Sequence, residues 1–158
     1  MSRHFSRREI CGVLLGTAAA AVAWPRGVAG QAKPTLIVYK DPGCGCCEAW
    51  VTHMKANGFA ATVTNTSNVD AIKKQHGVTD ALASCHTALV GGYVIEGHVP
   101  AADVTRLLTE KPKTIKGLTI PGMPASAPGM DLKPFKPYTV LSFDAQGKTA
   151  VYASHPTA

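Results

Sequence analysis

The chain has 158 residues, a length for one domain, with a formal net charge of +6 and 46% hydrophobic residues. Residues 1–30 carry Arg3, Arg7, Arg8, Arg26 and Glu9, so half of that positive charge belongs to the first thirty residues. The remainder is scattered lysine, densest at Lys111, Lys113 and Lys116, which reads as a solvated face and argues against a nucleic-acid partner.

Arg3, Arg7 and Arg8 precede CGVLLGTAAAAVAW, an apolar run of about 14 residues that suits a signal-peptide core and is too short to span a bilayer. Small residues follow in GVAGQA. The expected organisation is a leader over residues 1–30, cleaved near residue 30, and a single exported domain over 31–158 with no stable membrane insertion. SRREI hints at twin-arginine export, and the Sec route uses the same three-part pattern. Cys11 follows Glu9-Ile10 rather than a lipobox and is expected to leave with the leader.

TLIVYK, residues 35–40, lies between Pro34 and Asp41-Pro42-Gly43 and reads as a strand ending in a turn. From Cys47 the positions Cys47, Trp50, Val51 and Met54 follow the i, i+3, i+4, i+7 spacing of a core-facing helix, stopped by Asn57-Gly58. FAATVTNT is a second strand; SNVDAIKKQHG is a short helix with Val69 and Ile72 as its apolar positions. HTALV and YVIEG flank Gly91-Gly92, a two-residue hairpin connection, and PAADVTRLLTEK places Val104, Leu107 and Leu108 on one helix face. The predicted order is βαβαββα. GLTIPGMPASAPGMDLKPFKP is expected to be irregular, and so long a loop inside a compact domain is commonly functional. YTVLSF and KTAVYAS, joined by DAQG, form a terminal hairpin.

A domain of about 128 residues buries about two-thirds of its unfolded surface, so disulfides are not required for folding. Three of its four cysteines, Cys44, Cys46 and Cys47, crowd one turn, where they cannot staple distant segments. Cys44-x-x-Cys47 at the end of a strand and the start of a helix is the thioredoxin arrangement, and the helix N-terminus favours thiolate there. The βαβαββα order agrees, which predicts a thioredoxin-like fold with an added Pro/Gly/Met loop and a C-terminal hairpin. In that fold the segment leading into the third strand passes beside the first cysteine. Here it reads ASCHTALV, so Cys85 and His86 are expected next to Cys44.

A redox dithiol uses Cys44 and Cys47, with a disulfide as its resting state in an oxidising compartment, and has no need of Cys46. Clustered soft donors instead select Cu(I), or zinc where sulfur and nitrogen are tetrahedral. Met123 and Met130, in matching Pro-Gly-Met turns, are candidate thioether donors against a space-filling role. His86 and His98 are candidate imidazole ligands, whereas His53, His76 and His155 read as solvated. A thiol–disulfide oxidoreductase and a zinc-binding structural module stand beside a copper-binding protein as readings of these residues.

YKDPGCGCCEAW, SCHTALVGGYVIEGHVPAADVTRLL and GLTIPGMPASAPGM together resemble the CopG-type family of periplasmic copper-resistance proteins, long catalogued as a domain of unknown function. The resemblance covers nearly the whole mature chain. It implies a thioredoxin-like fold, copper at the site of Cys44, Cys46, Cys47, Cys85 and His86, and a role in copper redox handling; four neighbouring thiolates could hold more than one copper, since sulfur can bridge Cu(I) ions. The partners it implies are copper ions and copper efflux or resistance proteins.

Overall fold

The computed structural model describes residues 32–156, so the leader assigned to residues 1–30, with Cys11, lies outside the described residues. The predicted alternation is present: β1 (Thr35–Lys40), α1 (Gly45–Ala56), β2 (Ala60–Asn65), α2 (Val69–Gln75), β3 (His86–Val90), β4 (Tyr93–Glu96) and α3 (Ala101–Glu110). The chain continues through β5 (Gly117–Thr119), β6 (Tyr138–Phe143) and β7 (Thr149–His155). All seven strands form one sheet in the order β2-β1-β3-β4-β5-β6-β7.

The β1–β2 pair is parallel, as a strand–helix–strand crossover requires, and β3 runs antiparallel to β1 with His86 opposite Lys40. Gly91 and Gly92 both have positive φ, 57° and 87°, which a primed two-residue turn demands and which lets β3 fold directly onto β4. The terminal hairpin extends the sheet through β5, pairing Gly117–Thr119 with Leu141–Phe143.

One expectation is corrected here. Gly117–Thr119 opens the stretch read as irregular, yet it is a strand parallel to β4. Burial decides this: Leu118 is fully buried and Ile120 nearly so, and an isolated apolar pair in a Pro- and Gly-rich stretch gives no period to read. The remainder of the loop, residues 121–137, is irregular as expected.

Two apolar clusters follow from strand alternation. Leu36 and Val38 of β1, Ala88 and Val90 of β3, Ile95 and Leu118 pack with Trp50, Val51 and Met54 of α1 and with Val104 and Leu107 of α3. Val94 and Phe143 pack with Val78 and Leu82, which follow α2. Val69 is buried on α2 as predicted, whereas its partner there is Lys73 rather than Ile72. Among the described residues, no helix is long and apolar enough to cross a membrane.

Candidate metal centre

Strand β1 delivers the chain into Asp41-Pro42-Gly43, where the Gly43 amide donates to Asp41 Oδ1 at 2.8 Å and the Cys44 amide to the Asp41 carbonyl at 3.1 Å. That turn sets Cys44 as the N-cap of α1 with no side chain capping the helix, so the three cysteines lie at the positive end of the helix dipole. Cys44 and Cys47 are joined as a disulfide, and Cys46 and Cys85 are free thiols. The sulfurs of Cys44, Cys46, Cys47 and Cys85 all lie within 4.8 Å of one another, which is the juxtaposition of the two segments that the strand order predicts.

Cys85 also belongs to a second group, with His86 and His98, whose donor atoms are equally close. Its sulfur is 3.2 Å from His86 Nδ1 and 3.0 Å from His98 Nε2. His98 Nδ1 lies 2.7 Å from the Pro128 carbonyl, which can only accept, so Nδ1 carries the proton and the Nε2 lone pair is directed at Cys85. His86 is fully buried, its ring 4.4 Å from that of Trp50, and its Nε2 has no hydrogen-bond partner. His86 Nδ1 is the nitrogen that faces the Cys85 sulfur, and the unpartnered Nε2 is the other ring nitrogen, buried without an acceptor or donor. Burial, reinforced by His98, Lys73 and Lys40, holds His86 well below the usual imidazole range; burial also lowers His98. Both rings are therefore neutral, the form that binds a metal. Burial, and after it Cys46, pushes the Cys85 thiol up to about 12, so Cys85 holds its proton at neutral pH.

Both Pro-Gly-Met turns lie against this centre. The Gly122 amide donates to the Ala83 carbonyl at 3.3 Å, and Ser84 Oγ donates to the Gly122 carbonyl at 3.1 Å, so the first turn sits against the segment carrying Cys85. A Cβ on Gly129 would fall 2.6 Å from the Trp50 nitrogen and 3.0 Å from the Cys46 carbonyl, so the second turn lies directly on the first turns of α1. Met123 is 54% exposed and Met130 is half-buried.

Two histidines read as solvated are engaged instead. His53 Nε2 accepts from the Ala101 amide at 3.2 Å, and burial lowers its pKa. His155 donates to Asp103 at 2.8 Å and stacks on Tyr138. In both cases the partner belongs to the start of α3, distant in sequence. The charged side chains beside the centre were also missed. Lys40 is fully buried and bonds the Asp41 carbonyl at 3.0 Å and Glu48 at 2.9 Å; its place two residues after Val38, on the inward side of β1, is the signal for it.

A mixed α/β fold thus gathers four sulfurs and two imidazoles from a helix start, a strand start and the segment after β4, a donor set that could hold a soft metal ion. The chain belongs to the family of the CopG copper resistance proteins. A solved structure of the copper resistance protein CopG, form 2, is 36% identical with a TM-score of 0.74, covering 79% of this chain and 100% of its own. Form 1 is 35% identical with the same TM-score, covering 80% of this chain and 100% of its own. The family described as "Protein of unknown function, DUF411" matches residues 82–130, the stretch that holds Cys85, His86, His98 and both Pro-Gly-Met turns. No curated protein matches the chain.

Proposed function

We propose that the chain is a thioredoxin-like, periplasmic copper-binding protein of copper resistance, holding Cu(I) at Cys44, Cys46, Cys47, Cys85, His86 and His98. The observation that carries this reading is the position of Cys85, a free thiol shared by the four-sulfur group and the two-imidazole group. Thiolate and imidazole suit a soft or borderline ion, and His86 Nδ1 and His98 Nε2 both face the Cys85 sulfur, at 3.2 and 3.0 Å. Bound copper would supply a one-electron couple, and interconversion of Cu(I) and Cu(II) is part of the reading. With Cys44–Cys47 closed the donors are Cys46, Cys85, His86 and His98, and its two-electron reduction adds two thiols. Export by the leader and service to copper efflux proteins belong to the same proposal.

Thiol–disulfide exchange serving copper proteins is the second reading, favoured by the Cys44–Cys47 disulfide. It uses Cys44 and Cys47 and gives Cys46 and Cys85 no role. Cu(I) competition titrations across pH separate the two. Because Cys85 keeps its proton up to about 12, copper must displace it, and apparent affinity should rise about tenfold per pH unit for each proton released. Absence of competitive uptake at any pH would dismiss the copper reading.

The same titration assigns the methionines. Both Pro-Gly-Met turns lie against the cysteine segments, and thioether binds without losing a proton. The double change Met123→Leu plus Met130→Leu should cost less than about 1.5 kcal/mol of stability per site and weaken Cu(I) binding most in acid. Superimposable curves at neutral and acidic pH would leave these methionines as packing.

A further inference from the structure

Cys85 and His86 stand where β3 begins, and Ser84 and Cys85 precede any ladder pairing. What holds them lies on the other face of the sheet. Glu96 of β4 is fully buried, and its two carboxylate oxygens are divided: Oε1 accepts the Ser84 amide at 2.7 Å and Oε2 accepts the Thr87 hydroxyl at 2.7 Å. Ser84 and Thr87 are the residues immediately before and after Cys85-His86. Lys73 of α2, nearly buried, donates to Glu96 Oε1 at 2.5 Å and to Thr87 Oγ1 at 3.2 Å. A buried ion pair is an expensive way to fill space, because apolar side chains of similar volume commonly stabilise a fold as well or better. A carboxylate nevertheless supplies two acceptors at a fixed separation, which an apolar side chain cannot, and the Lys73 ammonium holds it in place.

We infer that Glu96, neutralised by Lys73, is a positioning residue that brackets Cys85-His86 from behind the sheet and fixes the Cys85 sulfur against His98 and Cys46. The inference rests on the copper reading for its metal-binding consequence, since outer-sphere partners of this kind orient ligands before a metal arrives. Its geometric part stands on metal-free protein.

Two double variants decide it. Lys73→Met plus Glu96→Gln removes both charges and leaves an amide oxygen to accept the Ser84 amide; Lys73→Met plus Glu96→Leu removes the charges and the acceptor. In the reduced, metal-free chain, the Leu variant should show faster hydrogen exchange at the Ser84 amide and faster alkylation of Cys85 than the Gln variant. Cu(I) affinity, measured by chelator competition, should fall on the order of 10–100-fold in the Leu variant and stay within about threefold of wild type in the Gln variant. Equal exchange, alkylation and affinity in the two would overturn the inference. Should the Leu variant fail to fold, Thr87→Val removes one arm alone and should still weaken Cu(I) binding several-fold; wild-type affinity there would overturn it. If wild type itself takes no Cu(I), the copper reading fails, and the exchange and alkylation rates alone decide the positioning role.

Discussion

Replacing Cys85 with serine is expected to lower Cu(I) affinity more than any other single substitution at the centre. Cys85 is common to both donor groups, so its loss removes a sulfur from the four-sulfur set and separates the imidazoles from it at the same time. Loss of a direct donor should exceed the roughly 10–100-fold cost typical of an outer-sphere partner. The fold should scarcely notice. A serine hydroxyl has almost the thiol's shape and can donate to His98 Nε2, which now lies 3.0 Å from the sulfur. Chelator competition alongside chemical denaturation checks both halves. An affinity change no larger than that of Cys46→Ser would mean that Cys85 is not the shared donor.

Trp50→Ala is expected to have the largest effect on stability, roughly 3–5 kcal/mol, because the indole is fully buried at the junction of α1, the sheet and the centre. Its Nε1 donates to the Val99 carbonyl at 2.9 Å, and its ring forms the wall against which His86 lies at 4.4 Å. The cavity therefore opens beside a metal donor. Trp50→Phe retains an aromatic wall and leaves the Val99 carbonyl without its partner, which should cost about 1–3 kcal/mol. Denaturant midpoints of the two variants against wild type test the ranking, and equal losses would place the cost in the hydrogen bond rather than in the packing.

The elements that build the centre were legible because each carries its own period. Cys47, Trp50, Val51 and Met54 are the residues α1 buries, and Gly91-Gly92 makes the turn its composition implied. Strand order then brings Cys85 to Cys44, although no local signal links them. What escaped were positions where hydropathy and placement disagree. Lys73 lies four residues after Val69 on the inward stripe of α2, and Glu96 alternates with Ile95 on β4, yet charge at such positions ordinarily means solvent. Each is tolerated because the other neutralises it. The His98 tautomer was equally out of reach, since it depends on a Pro128 carbonyl thirty residues away. β5 was hidden by its length of three residues among prolines and glycines.

The direct test of the central claim is copper K-edge X-ray absorption on the reduced, Cu(I)-loaded chain. The expected spectrum is that of Cu(I) in a sulfur-dominated shell with an imidazole contribution, the sulfur share falling in Cys85→Ser. A shell of nitrogen and oxygen alone, or a spectrum identical in Cys85→Ser, would contradict a copper centre built on the four clustered cysteines.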